Sequence, residues 1–149
     1  MHPALKTVSD PARILLVDDN THGLIARKAL LEELGYRIET ACCGEDALAR
    51  FQNGRFDIVV TDFKMPRMDG GELVRIIKAA SPGTYVILLS GFVEALGLTE
   101  QSTGADVVIS KSAGEVRHLL RSVDRLLHHR VPRKPAAQQG AAQARRRAT

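Results

Sequence analysis

Residues 58–73 read IVVTDFKMPRMDGGEL, and the carboxylate inside this stretch decides how the rest of the chain is read. Ile58-Val59-Val60-Thr61 has the length and β-branched character of a buried strand. Asp62 ends it. A charge at the end of a core strand is costly unless something neutralises it. Pro66 and the Gly70-Gly71 pair then break regular structure. The segment therefore predicts a strand that delivers one carboxylate to a sharp turn.

Working outward, similar short apolar runs recur at 13–17, 36–41, 56–61, 84–89 and 106–110. Four of the five are nearly continuous in hydrophobicity, as in sheets covered on both faces. Amphipathic patterns lie between them. Residues 21–34 place Leu24, Ile25, Leu31 and Leu34 on one side, and Gly35 stops the pattern. Residues 45–52 offer Ala47, Leu48 and Phe51; residues 71–80 offer Leu73, Ile76 and Ile77. The pattern at 93–102 is the weakest. Residues 113–129 repeat Val116, Leu119, Leu120, Val123, Leu126 and Leu127. The order βαβαβαβαβα predicts an α/β fold, a doubly wound parallel sheet with helices on both faces.

The chain has 149 residues, room for one domain with a real core. Five of its 21 basic residues (Arg133, Lys134, Arg145, Arg146, Arg147) fall after residue 130, where there is no acid. That leaves 16 basic against 17 acidic residues in 1–130, so the basic balance belongs to the tail. The expected organisation is an N-terminal extension over 1–11, a folded domain over 12–130 and a basic, disordered tail over 131–149. Cys42 and Cys43 are adjacent, poorly placed for an ordinary disulfide and without zinc spacing. They read as packing or loop residues in a reducing compartment. There is no secretory signal and no apolar run of the ~18 residues a membrane span needs, so the protein is expected to be cytoplasmic, with no membrane partner.

In an open parallel sheet, ligands bind beyond the carboxyl ends of the strands. The expected first strand runs into Asp18-Asp19-Asn20, the third ends in Asp62, the fourth in Ser90-Gly91 and the fifth in Lys111. Clustered carboxylates need neutralising, and a hard cation such as Mg²⁺ does this with few protein oxygens. Carboxylates, a divalent cation, a lysine and a hydroxyl together suit a transferable phosphoryl group: a carboxylate attacks phosphorus, the cations hold the oxygens, and the hydroxyl donates a hydrogen bond. Singly, the parts have plainer readings: Asp18-Asp19 as an acidic pair at a helix N-terminus, Ser90 as a turn residue, Lys111 as a surface lysine.

The stretches ILLVDDN (14–20), DIVVTDFKMPRMDG (57–70), VILLSG (86–91) and GADVVISK (104–111), in this order and spacing, resemble the receiver domain of two-component response regulators. The resemblance covers roughly residues 12–130 and implies a flavodoxin-like (βα)5 fold with strand order 2-1-3-4-5. It implies Asp62 as the phosphoacceptor, with Ser90 as the switch hydroxyl and Lys111 as the phosphate-contacting lysine. It further implies Mg²⁺ (or Mn²⁺) held by Asp19, Asp62 and the backbone carbonyl of Lys64, with Asp18 nearby through water. The implied protein is a stand-alone phosphorylation-dependent switch in a phosphorelay. It would assist its own phosphoryl transfer and hydrolysis but perform no separate enzymatic reaction. The implied partners are a sensor histidine kinase or phosphotransfer protein and a downstream target docking on residues 92–130.

Two positions depart from the pattern. The lysine is commonly followed by proline, and here Ser112 follows, so a trans bond is expected. The position three before the lysine is commonly aromatic, and here it is Val108, so a muted shift at the fifth strand is expected. The Lys64 side chain is expected to face solvent rather than reach toward bound phosphate.

Three rival functions stand beside this reading. A pseudo-receiver docking module that works without phosphorylation is the alternative, left open by Val108 and Ser112. A haloacid-dehalogenase-type phosphatase would need D-x-D after the first strand, and Asp18-Asp19-Asn20 does not supply it. Nucleic-acid binding through the tail would show a steep salt dependence and is not the expected function. The 113–129 helix either packs in a homodimer or simply covers the sheet.

Overall fold

The computed structural model describes residues 10–128. The expected tail and the first nine residues of the expected extension lie outside the described residues. In chain order the elements are β1 (Arg13–Val17), α1 (Thr21–Glu33), β2 (Arg37–Ala41), α2 (Gly44–Gln52), β3 (Ile58–Asp62), α3 (Gly70–Ala80), β4 (Tyr85–Ser90), α4 (Val93–Leu96), α5 (Glu100–Thr103), β5 (Val107–Ser110) and α6 (Glu115–His128). The five strands pair in parallel in the order β2-β1-β3-β4-β5, as the sequence predicts.

Strand alternation divides the core in two. Ile14 and Leu16 of β1 point to one face with Ile58, Val60, Ile87 and Leu89, where α1 (Leu24, Leu31) and α6 (Leu119, Val123, Leu126) cover them. Leu15 and Val17 point to the other with Val59, Val86 and Leu88, under α2 (Ala47) and α3 (Leu73, Val74, Ile77). Both faces of β1, β3 and β4 are thus dry, which is why these strands read as unbroken apolar runs.

The helices correct the sequence reading in places. On α1 only Leu24 and Leu31 are buried; Ile25 is 61% exposed and Leu34 57%. Positions 24, 27 and 31 form the inward stripe of a 3.6-residue period, so the middle place falls to Arg27 and Ile25 turns outward. Ile76 and Val116 likewise stand partly in solvent. The weak 93–102 pattern is two single-turn helices. Gly97 takes φ 65° and ends α4; Thr99 and Ser102 then start α5 with a reciprocal capping box. No residue of α4 is buried. Cys43 caps α2, its Sγ accepting from the Asp46 amide at 3.4 Å, and both cysteines are free thiols.

Opposite the functional rim, a buried ion pair ties α3 to the β4–β5 side. Lys78 Nζ donates to Asp106 Oδ2 at 3.0 Å and to the carbonyls of Thr84 and Pro82. Asp106 Oδ2 also accepts from the Val86 amide at 2.8 Å. With all three ammonium donors of Lys78 used, the buried cation is compensated, which is the tolerable form of such a pair.

Candidate functional site

Register brings the site together. Val17 pairs with Thr61, so the residues that follow, Asp18 and Asp62, emerge side by side. Asp62 pairs with Leu89, and Ser90 pairs with Ser110, so Ser90 and then Lys111 complete the same rim. β1 lies between β2 and β3, and the chain reverses its direction of sheet growth there. The carboxylates therefore stand at the topological switch point, where open α/β sheets bind ligands.

Asp62 is 7% exposed, and Lys111 Nζ lies 2.7 Å from its Oδ1. Burial pushes the Asp62 carboxyl above the usual carboxylate range; the Lys111 ammonium pulls it down, and the charges of Asp18 and Asp19 push it up. Asp18 is buried and both its oxygens are engaged: Oδ1 accepts the Asn20 amide at 2.9 Å and Oδ2 accepts Arg27 Nη1 at 3.0 Å. Asp19 is exposed. The three carboxylates each present an oxygen within 4.8 Å of the others. An all-oxygen donor set of this charge, with one member open to water, fits a hard divalent cation such as Mg²⁺.

The loop after β3 is folded tightly against Asp62. The Phe63 amide donates to the Leu89 carbonyl at 2.8 Å, the Met68 amide to Pro66 at 2.8 Å and the Gly70 amide to Phe63 at 2.7 Å. Arg67 adopts φ 69°, and Asp69 caps α3 by accepting from the Glu72 amide. A Cβ on Gly70 would run into the Asp62 carbonyl and stand 2.8 Å from Phe63 Cα. Glycine is required there by close backbone approach, and that approach fixes the loop carrying the Lys64 carbonyl.

Ser90 is buried, and its Oγ accepts the Phe92 amide at 2.9 Å. Its own O–H remains to donate. The Lys64 side chain is exposed, as expected, but it is not simply solvated: Nζ lies over the Phe92 ring, 4.9 Å from its centroid. This contact joins the loop after β3 to the loop after β4. The Lys111–Ser112 bond is trans. Val108 is half-buried, and its amide is held by Glu100 Oε2 at 3.0 Å, so a carboxylate occupies this donor on edge strand β5.

Sequence reasoning missed Arg27 and Glu115. Arg27 reaches Asp18 with one edge of its guanidinium and Glu115 with the other, at 3.0 Å from Nε and 2.9 Å from Nη2. A faint signal was present: Gly23 lies four residues before Arg27, one helical turn away on the same side of α1. Nothing in the local sequence points to Glu115. Phe92 was also missed, because its role depends on two loops meeting.

The chain matches the family model described as response regulator receiver domain over residues 14–124, and it belongs to that family. It is 36% identical over 120 residues to the gliding motility regulatory protein of Myxococcus xanthus, covering 76% of this chain and 15% of that protein. It is 32% identical to the virulence sensor protein BvgS of Bordetella pertussis, covering 93% of this chain and 12% of that one. The chain thus spans a small part of the length of these relatives. Among solved structures it is similar to a CheY-like receiver domain protein from Methanospirillum hungatei (32% identity, TM-score 0.74, 80% of this chain and 96% of that one). It is also similar to the response regulator TrrA of Thermotoga maritima in complex with Mg²⁺-BeF (33% identity, TM-score 0.70, 77% of this chain and 98% of that one). The protein is a receiver domain of two-component signalling.

Proposed function

We propose that this receiver is a phosphorylation-dependent switch whose phosphoacceptor is Asp62. The observation that carries the reading is the buried Asp62 carboxylate at the switch point, 2.7 Å from the Lys111 ammonium and within metal-sharing distance of Asp18 and Asp19. Asp19, Asp62 and the Lys64 carbonyl would hold Mg²⁺ or Mn²⁺, with Asp18 contributing through water. When bound, the cation supplies positive charge to the phosphoryl oxygens.

A carboxylate oxygen of Asp62 forms the new bond to phosphorus. The bond from phosphorus to the donor, a histidine nitrogen or an acyl oxygen, breaks, and its electron pair leaves with the donor. Lys111 exchanges its carboxylate partner for a phosphoryl oxygen. Ser90 donates its free O–H to another and draws the end of β4 inward. The segment that follows, α4, buries none of its residues and is the part that moves. The shift selects between conformations already present. On this reading the chain accepts and hydrolyses its own phosphoryl group, catalyses no separate reaction and acts in the cytoplasm. Its partners are a sensor histidine kinase or phosphotransfer protein and a target docking on residues 92–130. The kinship with a virulence sensor protein supports that setting.

One observation favours the pseudo-receiver alternative. Val108 brings no ring to follow Ser90, and its amide is already pinned by Glu100. The test is incubation of the intact protein with a small acyl phosphate. The switch reading expects phosphorylation that needs Mg²⁺ and falls sharply in Asp19→Ala; refusal of every donor by the wild type gives the pseudo-receiver reading instead.

A further inference from the structure

We propose that Arg27 is a positioning residue that sets the metal affinity of this site through Asp18, and that Glu115 relays metal loading to the start of α6. The inference rests on the metal-dependent reading above. Arg27 occupies the inward stripe of α1 between Leu24 and Leu31, a place that would ordinarily hold an apolar side chain. Its side chain is only 11% exposed, and those of its partners are 3% (Asp18) and 14% (Glu115). Ion pairs this far from water are weakly screened, unlike surface pairs.

The path of the guanidinium is built into α1. A Cβ on Gly23 would stand 3.0 Å from Arg27 Nη1 and 3.3 Å from Asp18 Oδ2. The first turn of the helix is cut back where the arginine crosses it to reach the carboxylate. The planar fork then serves two acids at once: Nη1 to Asp18, Nε and Nη2 to Glu115.

Arg27 is permanently charged, so it opposes a second cation at the carboxylates and occupies an oxygen of Asp18. Glu115 acts with the opposite sign, because it shares the guanidinium and relieves its hold on Asp18. Removing the arginine therefore tightens metal binding, and removing the Glu115 charge weakens it. By linkage, metal drawing on Asp18 shifts Arg27 toward Glu115 and steadies the first turn of α6.

The test is Mn²⁺ binding to the full chain, followed by calorimetry or water-proton relaxation, since the chain has no tryptophan to report it. Arg27→Met, which suits the apolar stripe, is expected to tighten binding by about 5-fold or more. Glu115→Gln is expected to weaken it several-fold. Gly23→Ala displaces the guanidinium and is expected to shift affinity in the direction of Arg27→Met; it carries the test if Arg27→Met fails to fold. Amide exchange at the start of α6 is expected to slow on Mn²⁺ addition in the wild type and not in Glu115→Gln. Wild-type binding with equal affinity in the variants, or shifts of one sign for Arg27→Met and Glu115→Gln, overturns this inference alone. No Mn²⁺ binding by the wild type overturns the metal-dependent reading and this inference with it.

Discussion

The Lys111 ammonium bridges two of the three site carboxylates: Nζ lies 2.7 Å from Asp62 Oδ1 and 3.8 Å from Asp18 Oδ2, with the side chain 30% exposed. It already stands where a phosphoryl oxygen on Asp62 would need a counter-charge. It also offsets part of the burial that raises the Asp62 carboxyl. Metal binding needs that carboxylate ionised, so Mn²⁺ affinity should decline as pH falls through the raised Asp62 pKa. In Lys111→Ala the opposing pull is gone and the decline should begin at higher pH, while binding at neutral pH persists. Calorimetric titrations across the acid range check this; coincident pH profiles would remove the proposed coupling.

The same shift makes a stability prediction. With the folded pKa of Asp62 above its unfolded value, the folded protein keeps a proton over a range where the unfolded chain has lost it. The stability from this group is full below the unfolded pKa and is lost as pH rises through the folded pKa. Asp62→Asn should therefore melt at higher temperature than wild type near neutral pH without metal, and the gap should close in acid. Thermal melts at a series of pH values read it directly. A lower melting temperature for Asp62→Asn at neutral pH would contradict the cause assigned to the shift.

The Lys64–Phe92 contact joins the loop after β3 to the loop after β4. An exposed cation–π pair of this kind contributes about 0.5–1 kcal/mol. Phe92→Leu, which keeps apolar bulk without the ring face, is predicted to change the dephosphorylation rate by about 2- to 5-fold. The initial rate of phosphorylation by an acyl phosphate should stay the same. Decay of the phosphoprotein is the measurement, and an unchanged rate would make the pair a surface ornament.

Gly70→Ala tests the loop itself. The added Cβ would meet Asp62 and Phe63 backbone atoms, which cannot move aside as a flexible side chain does. A loss of about 1–3 kcal/mol of stability is predicted, with weakened metal binding because the Lys64 carbonyl travels with the loop. Denaturant unfolding and Mn²⁺ titration on the same sample separate the two effects.

How much of this could be read from the chain varies with the physics involved. A parallel sheet gathers its strand ends on one rim, so Asp18, Asp19, Asp62, Ser90 and Lys111 were legible as a group once the strands were. The helix faces were less so. Counting apolar residues assigned Ile25 and Leu34 to the core, whereas the stripe runs through Leu24, Arg27 and Leu31. A charged residue in an apolar stripe looks like a break in the pattern until its partner is seen, and Glu115 lies 88 residues further on. The division of 93–102 had a local sign in Gly97, whose left-handed φ ends α4. The Lys64–Phe92 contact had none, because it depends on how two loops fold over the rim.

The central claim is that Asp62 takes the phosphoryl group. The most direct test is to treat wild type and Asp62→Asn with an acyl phosphate and Mg²⁺, then measure intact mass before and after hydroxylamine, which cleaves acyl phosphates. Wild type should gain one phosphoryl group and lose it to hydroxylamine, while Asp62→Asn, folded as judged by circular dichroism, gains none. Equal incorporation in Asp62→Asn, or a wild-type adduct that resists hydroxylamine, would contradict the assignment of Asp62.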